Sequence, residues 1–411
     1  MFQLKPPAPG KTSWTQTVLY SFCAKLTSQG CQDGAGPGAG VIFSTQPNGV
    51  TALFGVTAYG GSSNNGTIFR LSPKTVNGTT TWTFTKLYEF SGSDNSDGSY
   101  PLGGLIAGGN GILYGTTNGG GTGHCNNGCG TIFKLTPPNS SHPSRWNETV
   151  LYSFGSTSSD GEYPKASLIA DKNGALYGTT YEGGSTGYGT VFRLTPPAGE
   201  TIWRLTTLHS FAGGNEGAYP RAGLAIGPGG GLYGTTAYGG ANCDNNDGCG
   251  TVFRLAPSAG KPTAATWKLS TLHSFKYNYA SDGQYPLGTL IFGTDGALYG
   301  TTEYGGTPNG DGNGPCGYLY RCGTIFRLTG AGANWDWTLL YKFCNQTTGC
   351  PIGAYPTAGL LAYNGKLYGT TSSDADGYAC NCGAVFELDY PGTVFRPAPR
   401  TPPPISRLSL P

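Results

Sequence analysis

The apolar positions of this chain fall into short runs that alternate with glycine-rich polar stretches, and the runs recur. A Leu-Tyr-Gly-Thr-Thr segment leads through glycines to Gly-Thr-(Val/Ile)-Phe-x-Leu, in which Thr, Phe and Leu alternate with residues of the opposite face. The first segment begins at Leu53 (as LFGVT), Leu113, Leu176, Leu232, Leu298 and Leu367, so the copies lie 60, 63, 56, 66 and 69 residues apart. Alternation over a few residues, bounded by turn formers, marks half-buried β-strands. In the third copy, residues 166–170 (ASLIA), 175–180 (ALYGTT), 189–194 (GTVFRL) and 203–211 (WRLTTLHSF) each read as a strand. Pro196 and Pro197 stop the third, because proline cannot donate to a ladder. Four strands in each of six copies predict an all-β, six-bladed β-propeller with four strands per blade. A β-solenoid needs shorter coils and polar capping repeats, and no copy has that character.

The copies are out of phase with the chain ends. The sixth stops after its third strand, residues 384–388, whereas residues 14–22 (WTQTVLYSF) read as an unattached fourth strand. The last blade is therefore expected to close with this N-terminal strand, which runs from Trp14 to Phe22. Residues 2–7 look like a surplus third strand, and residues 392–396 (GTVFR) echo it again. The reading gives one propeller domain over residues 1–390 and a Pro-rich flexible tail over 391–411.

Composition agrees with β structure: 71 Gly and 29 Pro supply turns, and 26 Tyr and 18 Phe supply strand faces. Charged residues make up 11% of the 411 and the net charge is +2, so no nucleic-acid footprint or anionic-membrane patch is visible. No apolar run approaches the roughly 20 residues that span a bilayer. The opening residues 1–7 lack the apolar core of a secretory signal.

The phrase Leu-Tyr-Gly-Thr-Thr-x-x-Gly-Gly, the Gly-Thr-(Val/Ile)-Phe-x-Leu strand, and Leu-Tyr-Ser-Phe and Asp-Gly-x-Tyr-Pro between copies resemble the GloVer tandem-repeat family over about residues 2–390. The resemblance implies a secreted, periplasmic or surface-anchored protein, since members are typically exported or held by varied C-terminal signals. It implies no particular activity.

All twelve cysteines fall between strands, in six local pairs. From the second Thr of each Leu-Tyr-Gly-Thr-Thr to the next Gly-Thr there are 8, 12, 8, 13, 20 and 11 residues. The loops of 8 have no cysteine, and the longer ones carry Cys125/Cys129, Cys243/Cys249, Cys316/Cys322 and Cys380/Cys382. The two longest connections from the Phe of Leu-Tyr-x-Phe to the Pro of Asp-Gly-x-Tyr-Pro carry Cys23/Cys31 and Cys344/Cys350. Cysteines that accompany long loops predict disulfides, each closing a short loop at about 2 kcal/mol, and an oxidising compartment. Loops after the second and fourth strands of a blade leave the same face, so the cysteine-bearing loops rim one face of the ring.

Recurrence separates scaffold from site. Trp14, Trp82, Trp146, Trp203, Trp267 and Trp337 take one repeat position each, and Trp335 is extra. His209 and His273 replace the Tyr of Leu-Tyr-Ser-Phe and read as packing substitutions. Asp33, Asp97, Asp160, Glu216 and Asp282 recur in Asp-Gly-x-Tyr-Pro, where Asp-Gly is turn chemistry, with a ring of acids at the channel mouth as the alternative. Residues 309–313 and 243–248 resemble calcium loops without the full ligand spacing, so no cofactor and no metal site are expected. The departure from symmetry is the fifth copy. Its loops carry Tyr277, Tyr279, Asp282, Tyr285, Tyr304, Asp311, Tyr318, Tyr320 and Arg321, a candidate binding set of aromatic faces with polar tips.

Without an evident nucleophile or cofactor motif, the leading expectation is a monomeric, non-catalytic propeller that binds a glycan or a cell-surface protein. The alternative is a polysaccharide lyase or glycoside hydrolase at the channel mouth, with Asp244, Asp311, Asp374 or Asp376 in a pair across a cleft. A purely structural surface role is the third.

Overall fold

The computed structural model describes residues 1–7, 13–28, 30–45, 49, 51–92, 97–138, 140, 145–157, 159–197, 202–241, 249–257, 267–276, 282–306, 322–331, 334–344, 353–373, 383–389 and 395–397. Six four-stranded antiparallel sheets stand in a ring as a six-bladed β-propeller. Blade 1 is Ile42–Thr45, Thr51–Thr57, Thr67–Val76 and Thr79–Glu89, and blade 2 is Ile106–Ala107, Leu113–Thr117, Thr131–Thr136 and Asn147–Ser153. Blade 3 is Ile169–Ala170, Leu176–Thr180, Thr190–Thr195 and Arg204–Ser210; blade 4 is Ala225–Ile226, Leu232–Thr236, Thr251–Pro257 and Trp267–Ser274. Blade 5 is Ile291–Phe292, Leu298–Thr302, Thr324–Ala331 and Asn334–Lys342, and blade 6 is Leu361–Tyr363, Lys366–Thr371, Ala384–Asp389 and Phe395–Pro397. No helix among the described residues is long and apolar enough to cross a membrane.

The repeated residues explain the blade. In the pairing Gly178↔Phe192 the glycine lies under the Phe ring: a Cβ there would stand 2.5 Å from the ring tip, so only glycine fits. The second Thr of Leu-Tyr-Gly-Thr-Thr and the Thr of Gly-Thr-Val-Phe are both buried, and each satisfies the other. Their Oγ atoms lie 2.8 Å apart in Thr117/Thr131, Thr180/Thr190 and Thr236/Thr251. Phe69, Phe133, Phe192, Phe253, Phe326 and Phe386 are fully buried between blades.

The closure differs from the expectation. The fourth strand of blade 6 is Phe395–Pro397, in the register Phe386↔Pro397 and Leu388↔Phe395, so strand pairing continues past residue 390. The N-terminal segment does not close that blade. Thr15–Val18 pairs with Phe2–Lys5 as a separate two-stranded ribbon, Phe2↔Val18 to Lys5↔Thr15. The physical reason is proximity. A surplus third strand stands a few residues before the fourth-strand copy, and closing that short loop costs far less chain entropy than reaching across the whole chain.

Tryptophan packs between blades, with one change of assignment. Trp146 meets Phe54 at 6.0 Å, Trp203 meets Tyr114 at 6.0 Å, and Trp267 meets Tyr177 at 6.5 Å. In blade 5 this place belongs to Trp335, 5.9 Å from Tyr233, so Trp335 is the repeat residue and Trp337 the extra one. The two stand two residues apart on one strand face, which is why spacing alone confused them. Trp337 stacks on His273 at 5.1 Å.

Candidate functional site

The acids of Asp-Gly-x-Tyr-Pro fold back onto their own loops. Asp97 accepts from the Tyr88 hydroxyl at 2.9 Å and from Ser91 N at 3.0 Å. Asp160 accepts from the Tyr152 hydroxyl at 2.8 Å, and Asp33 from the Tyr20 hydroxyl at 2.6 Å and Ala24 N at 3.1 Å. Where histidine replaces that Tyr, the imidazole takes over: His209 Nε2 lies 3.2 Å from Glu216, and His273 Nε2 lies 3.2 Å from Asp282. Burial holds the His209 imidazole below its usual range, against the opposing pull of Glu216. Asp282 is buried and also accepts from Lys276 N at 3.2 Å and Gly283 N at 2.9 Å. These carboxylates close turns by satisfying loop N–H groups.

The Tyr of the same motif does something else. Tyr100, Tyr163, Tyr219, Tyr285 and Tyr355 all have positive φ, between 55° and 59°. Such backbone costs a side-chain-bearing residue about 1–3 kcal/mol and persists only where the surroundings enforce it. Here two hydrogen bonds enforce it. Each Tyr N–H donates to the loop of the preceding blade, as in Tyr163 N to Cys129 O at 2.8 Å, Tyr285 N to Cys249 O at 3.0 Å and Tyr355 N to Cys322 O at 2.8 Å. Each Tyr carbonyl accepts from the end of its own second strand, as in Ala237 N to Tyr219 O at 3.2 Å and Glu303 N to Tyr285 O at 3.0 Å. At three of these five junctions a disulfide cysteine of one blade thus holds the tyrosine of the next, and at Tyr100 and Tyr219 the acceptor is the carbonyl of Asn65 and of Tyr188.

Held this way, the tyrosines meet a second set placed just after Leu-Tyr-Gly-Thr-Thr. The rings run edge-to-face or tilted from blade 3 to blade 6: Tyr181 to Tyr219 at 5.1 Å, Tyr219 to Tyr238 at 5.6 Å, Tyr238 to Tyr285 at 5.1 Å, Tyr285 to Tyr304 at 5.3 Å, and Tyr304 to Tyr355 at 5.8 Å. All six are half-buried, so each keeps part of its ring in solvent. Tyr59 and Tyr100, 5.7 Å apart, form a separate pair on blades 1 and 2.

Charged groups stand along this belt. The Lys165 ammonium lies 3.3 Å from the centroid of the Tyr181 ring. Burial, with the charge of Arg221 beside it, pulls its pKa down to about 8, and Glu182 opposes the shift. Burial pushes the Glu303 carboxyl up, against Arg221 and a hydrogen bond from Tyr304. Burial likewise raises the Tyr181 hydroxyl.

Of the residues expected from the fifth copy, Tyr285 and Tyr304 come together as neighbours in the belt. Tyr277, Tyr279, Asp311, Tyr318, Tyr320 and Arg321 lie outside the described residues, as do Asp244, Asp374, Asp376 and both loops that resemble calcium sites. Tyr181, Tyr219, Tyr238, Tyr355, Lys165 and Arg221 were not expected from the sequence. Tyr219 and Tyr355 share the motif position of Tyr285, and Tyr238 shares that of Tyr59 and Tyr304, so setting repeated residues aside as scaffold hides them; Tyr181, Lys165 and Arg221 are particular to their own copies and lie outside the fifth. Cys23–Cys31 and Cys125–Cys129 are bonded, and Cys249, Cys322 and Cys344 are disulfide-bonded as well. Cys243, Cys316, Cys350, Cys380 and Cys382 lie outside the described residues. His124, Cys125, Cys129 and Glu162 place ligand-type atoms within 4.8 Å of one another, but the two sulfurs are joined in a disulfide, which leaves one imidazole and one carboxylate as donors.

A repeat profile described as the Gloeobacter/Verrucomicrobia repeat matches residues 7–170 and 124–321. The chain belongs to the Gloeobacter/Verrucomicrobia repeat family. This family is the one the motifs resemble, and its matches span blades 1 to 4 and reach into blade 5. No curated protein matches the sequence. Among solved structures the repeat protein is similar to a hypothetical selenium-binding protein from Sulfolobus tokodaii, at 12% identity over 84% of this chain and 73% of that one, with a TM-score of 0.46. It is similar to a GH93 α-L-arabinofuranosidase of Fusarium graminearum, at 13% identity over 85% and 93%, with a TM-score of 0.43. It is also similar to an α-L-arabinanase of Penicillium chrysogenum, at 13% identity over 84% and 92%, with a TM-score of 0.42.

Proposed function

We propose that this repeat protein is an exported, non-catalytic propeller that binds a glycan along its tyrosine belt. One observation carries the reading: six half-buried tyrosines in unbroken contact from Tyr181 to Tyr355, flanked by Lys165 and Glu303. Sugar rings present apolar C–H faces and a hydroxyl edge, and tyrosines offer the matching apolar face and polar tip. The ordered acids of the motif support binding over hydrolysis, because they are engaged in turn closure. Disulfides at the belt's supporting loops support work outside the reducing cytosol.

The test is a glycan array probed with the full chain and with Tyr304→Ala. Tyr304 has ordinary backbone, so the variant keeps the fold while opening the belt between Tyr285 and Tyr355. The reading expects a defined set of binders whose signal falls about tenfold in the variant. An array without binders, or binders indifferent to Tyr304, rejects it.

A further inference from the structure

The Cys125–Cys129 disulfide closes the loop whose Cys129 carbonyl accepts from Tyr163 N. His124 and Glu162 lie against the same bond. The four residues each bring one ligand-type atom, and these atoms stand within 4.8 Å of one another. Among the described residues this is the one group of three or more His, Cys, Asp and Glu donors so close together.

The sister junctions show that the fold does not require these neighbours. Tyr285 N and Tyr355 N donate to Cys249 O and Cys322 O in the same way. There Gln284 and Ala354 stand where Glu162 does, and Asn242 and Pro315 precede the first cysteine where His124 does. The bonded cysteine and the held tyrosine are common to three junctions, whereas the imidazole and the carboxylate belong to one.

The imidazole is held as a metal ligand is held. Its Nδ1 lies 2.6 Å from Gly155 O, which can only accept, so Nδ1 carries the proton. In the neutral ring Nε2 then presents its lone pair toward Glu162 Oε1, 3.5 Å away. A ring N–H anchored on a backbone carbonyl fixes the tautomer and orientation of ligating histidines. Cys125 N donates to Cys129 Sγ at 3.1 Å, and such a bond is stronger to a thiolate than to a neutral sulfur. Gly155 lets these parts converge: its φ is 75°, and a Cβ there would stand 2.1 Å from Cys129 Sγ.

We propose that reduction turns this corner into a zinc site with Cys125, Cys129, His124 and Glu162 as its four donors. A dithiol reductant breaks the sulfur–sulfur bond: two electrons pass to the cysteines, and the reductant leaves as its own disulfide. Its two protons go to the cysteine sulfurs and are released when zinc binds them as thiolates. Paired zinc cysteines are commonly separated by about two to four residues, and tetrahedral bonds of about 2.0–2.3 Å put donors about 3.3–3.8 Å apart. Cys125 and Cys129 have three residues between them, and donors already within 4.8 Å reach that spacing by side-chain rotation. Zinc and the disulfide are thus alternatives on the same sulfurs, and either one pins the loop that holds Tyr163.

Cobalt(II) is the probe, because it accepts the same donors and a thiolate bound to it gives a charge-transfer band. In the full chain carrying Cys125→Ser the other disulfides stay closed, so a band from the folded, oxidised protein reports Cys129. The proposal expects one cobalt per chain, with affinity at least about tenfold lower when His124→Ala or Glu162→Gln is added. The His124 side chain is 63% exposed and that of Glu162 22%, so both additions keep the fold. In the wild-type chain reduced with a dithiol and desalted, zinc should slow alkylation of Cys125 at least about tenfold, read by peptide mass spectrometry, and leave Cys23 and Cys31 reactive. Absence of a band in Cys125→Ser, or a band indifferent to both additions, overturns the proposal. So does zinc that spares all cysteines alike, or a cobalt band in the wild-type chain before reduction.

Discussion

Blades 3 to 6 and blades 1 and 2 hold the same backbone but different side chains at the ring's tyrosine positions. From Tyr181 to Tyr355 the aromatic series is unbroken. In blade 1 the motif reads Asp33-Gly34-Ala35-Gly36-Pro37, with glycine where the others have tyrosine, and Gly36 keeps the same backbone at φ 64°. After the second strand of blade 2 stands Asn118. The conformation is thus scaffold, and glycine meets it without strain. Five tyrosines are held there against a local preference, which marks the ring itself as what the position is for.

The largest effect expected from breaking this contrast is on binding. Tyr238→Ala with Tyr304→Ala should lower glycan affinity about a hundredfold by calorimetry, roughly 1–1.5 kcal/mol for each lost stacking ring. Next comes the support. Removing the Cys125–Cys129 bond with a Ser pair should lower unfolding free energy by about 2 kcal/mol in denaturant titration. It should also loosen Tyr163, whose N–H rests on Cys129 O.

The depleted side carries its own marker in Glu148. It stands at the position of Leu205 and Leu269, paired with Leu135, and its Oε1 is buried without a partner among the described residues. Burial, with the Asp97 charge nearby, pushes its carboxyl up to about 8. The folded chain therefore holds a proton there that the unfolded chain releases near 4.5, so stability falls as pH rises through that interval to about 8. Glu148→Leu should flatten this fall and raise stability by about 1–3 kcal/mol at pH 9, read from thermal melts at pH 5 and 9.

The smallest effect separates strain from packing. Tyr219→Gly and Tyr219→Ala lose the same ring, but only alanine keeps a Cβ at φ 56°. The glycine variant should be the more stable by about 1 kcal/mol, the reverse of the usual order.

Much of the blade was legible in the sequence. Alternation and turn residues located the Leu-Tyr-Gly-Thr-Thr strands, and the cysteine spacing located Cys125–Cys129 and Cys23–Cys31 as bonded pairs. The closure was not, because two third-strand copies and one fourth-strand copy at the chain ends allow several pairings, and loop length rather than pattern selects among them. Nor was most of the site. Asp282 and Tyr285 stand three residues apart in one motif, yet one turns into its loop and the other onto the belt. The irregular loops of the fifth copy draw attention to Tyr285 and Tyr304. Tyr219, Tyr238 and Tyr355 stay hidden among repeated residues, because a ring builds a continuous surface from the residues its copies share.

The belt is the centre of this account, and one titration addresses it most directly. The strongest glycan binder of the array is measured by calorimetry against the full chain, Tyr238→Ala and Tyr59→Ala. Affinity should fall about tenfold for Tyr238→Ala, inside the unbroken series, and by less than twofold for Tyr59→Ala, outside it. Equal losses in the two variants, or a loss confined to Tyr59→Ala, contradict the account.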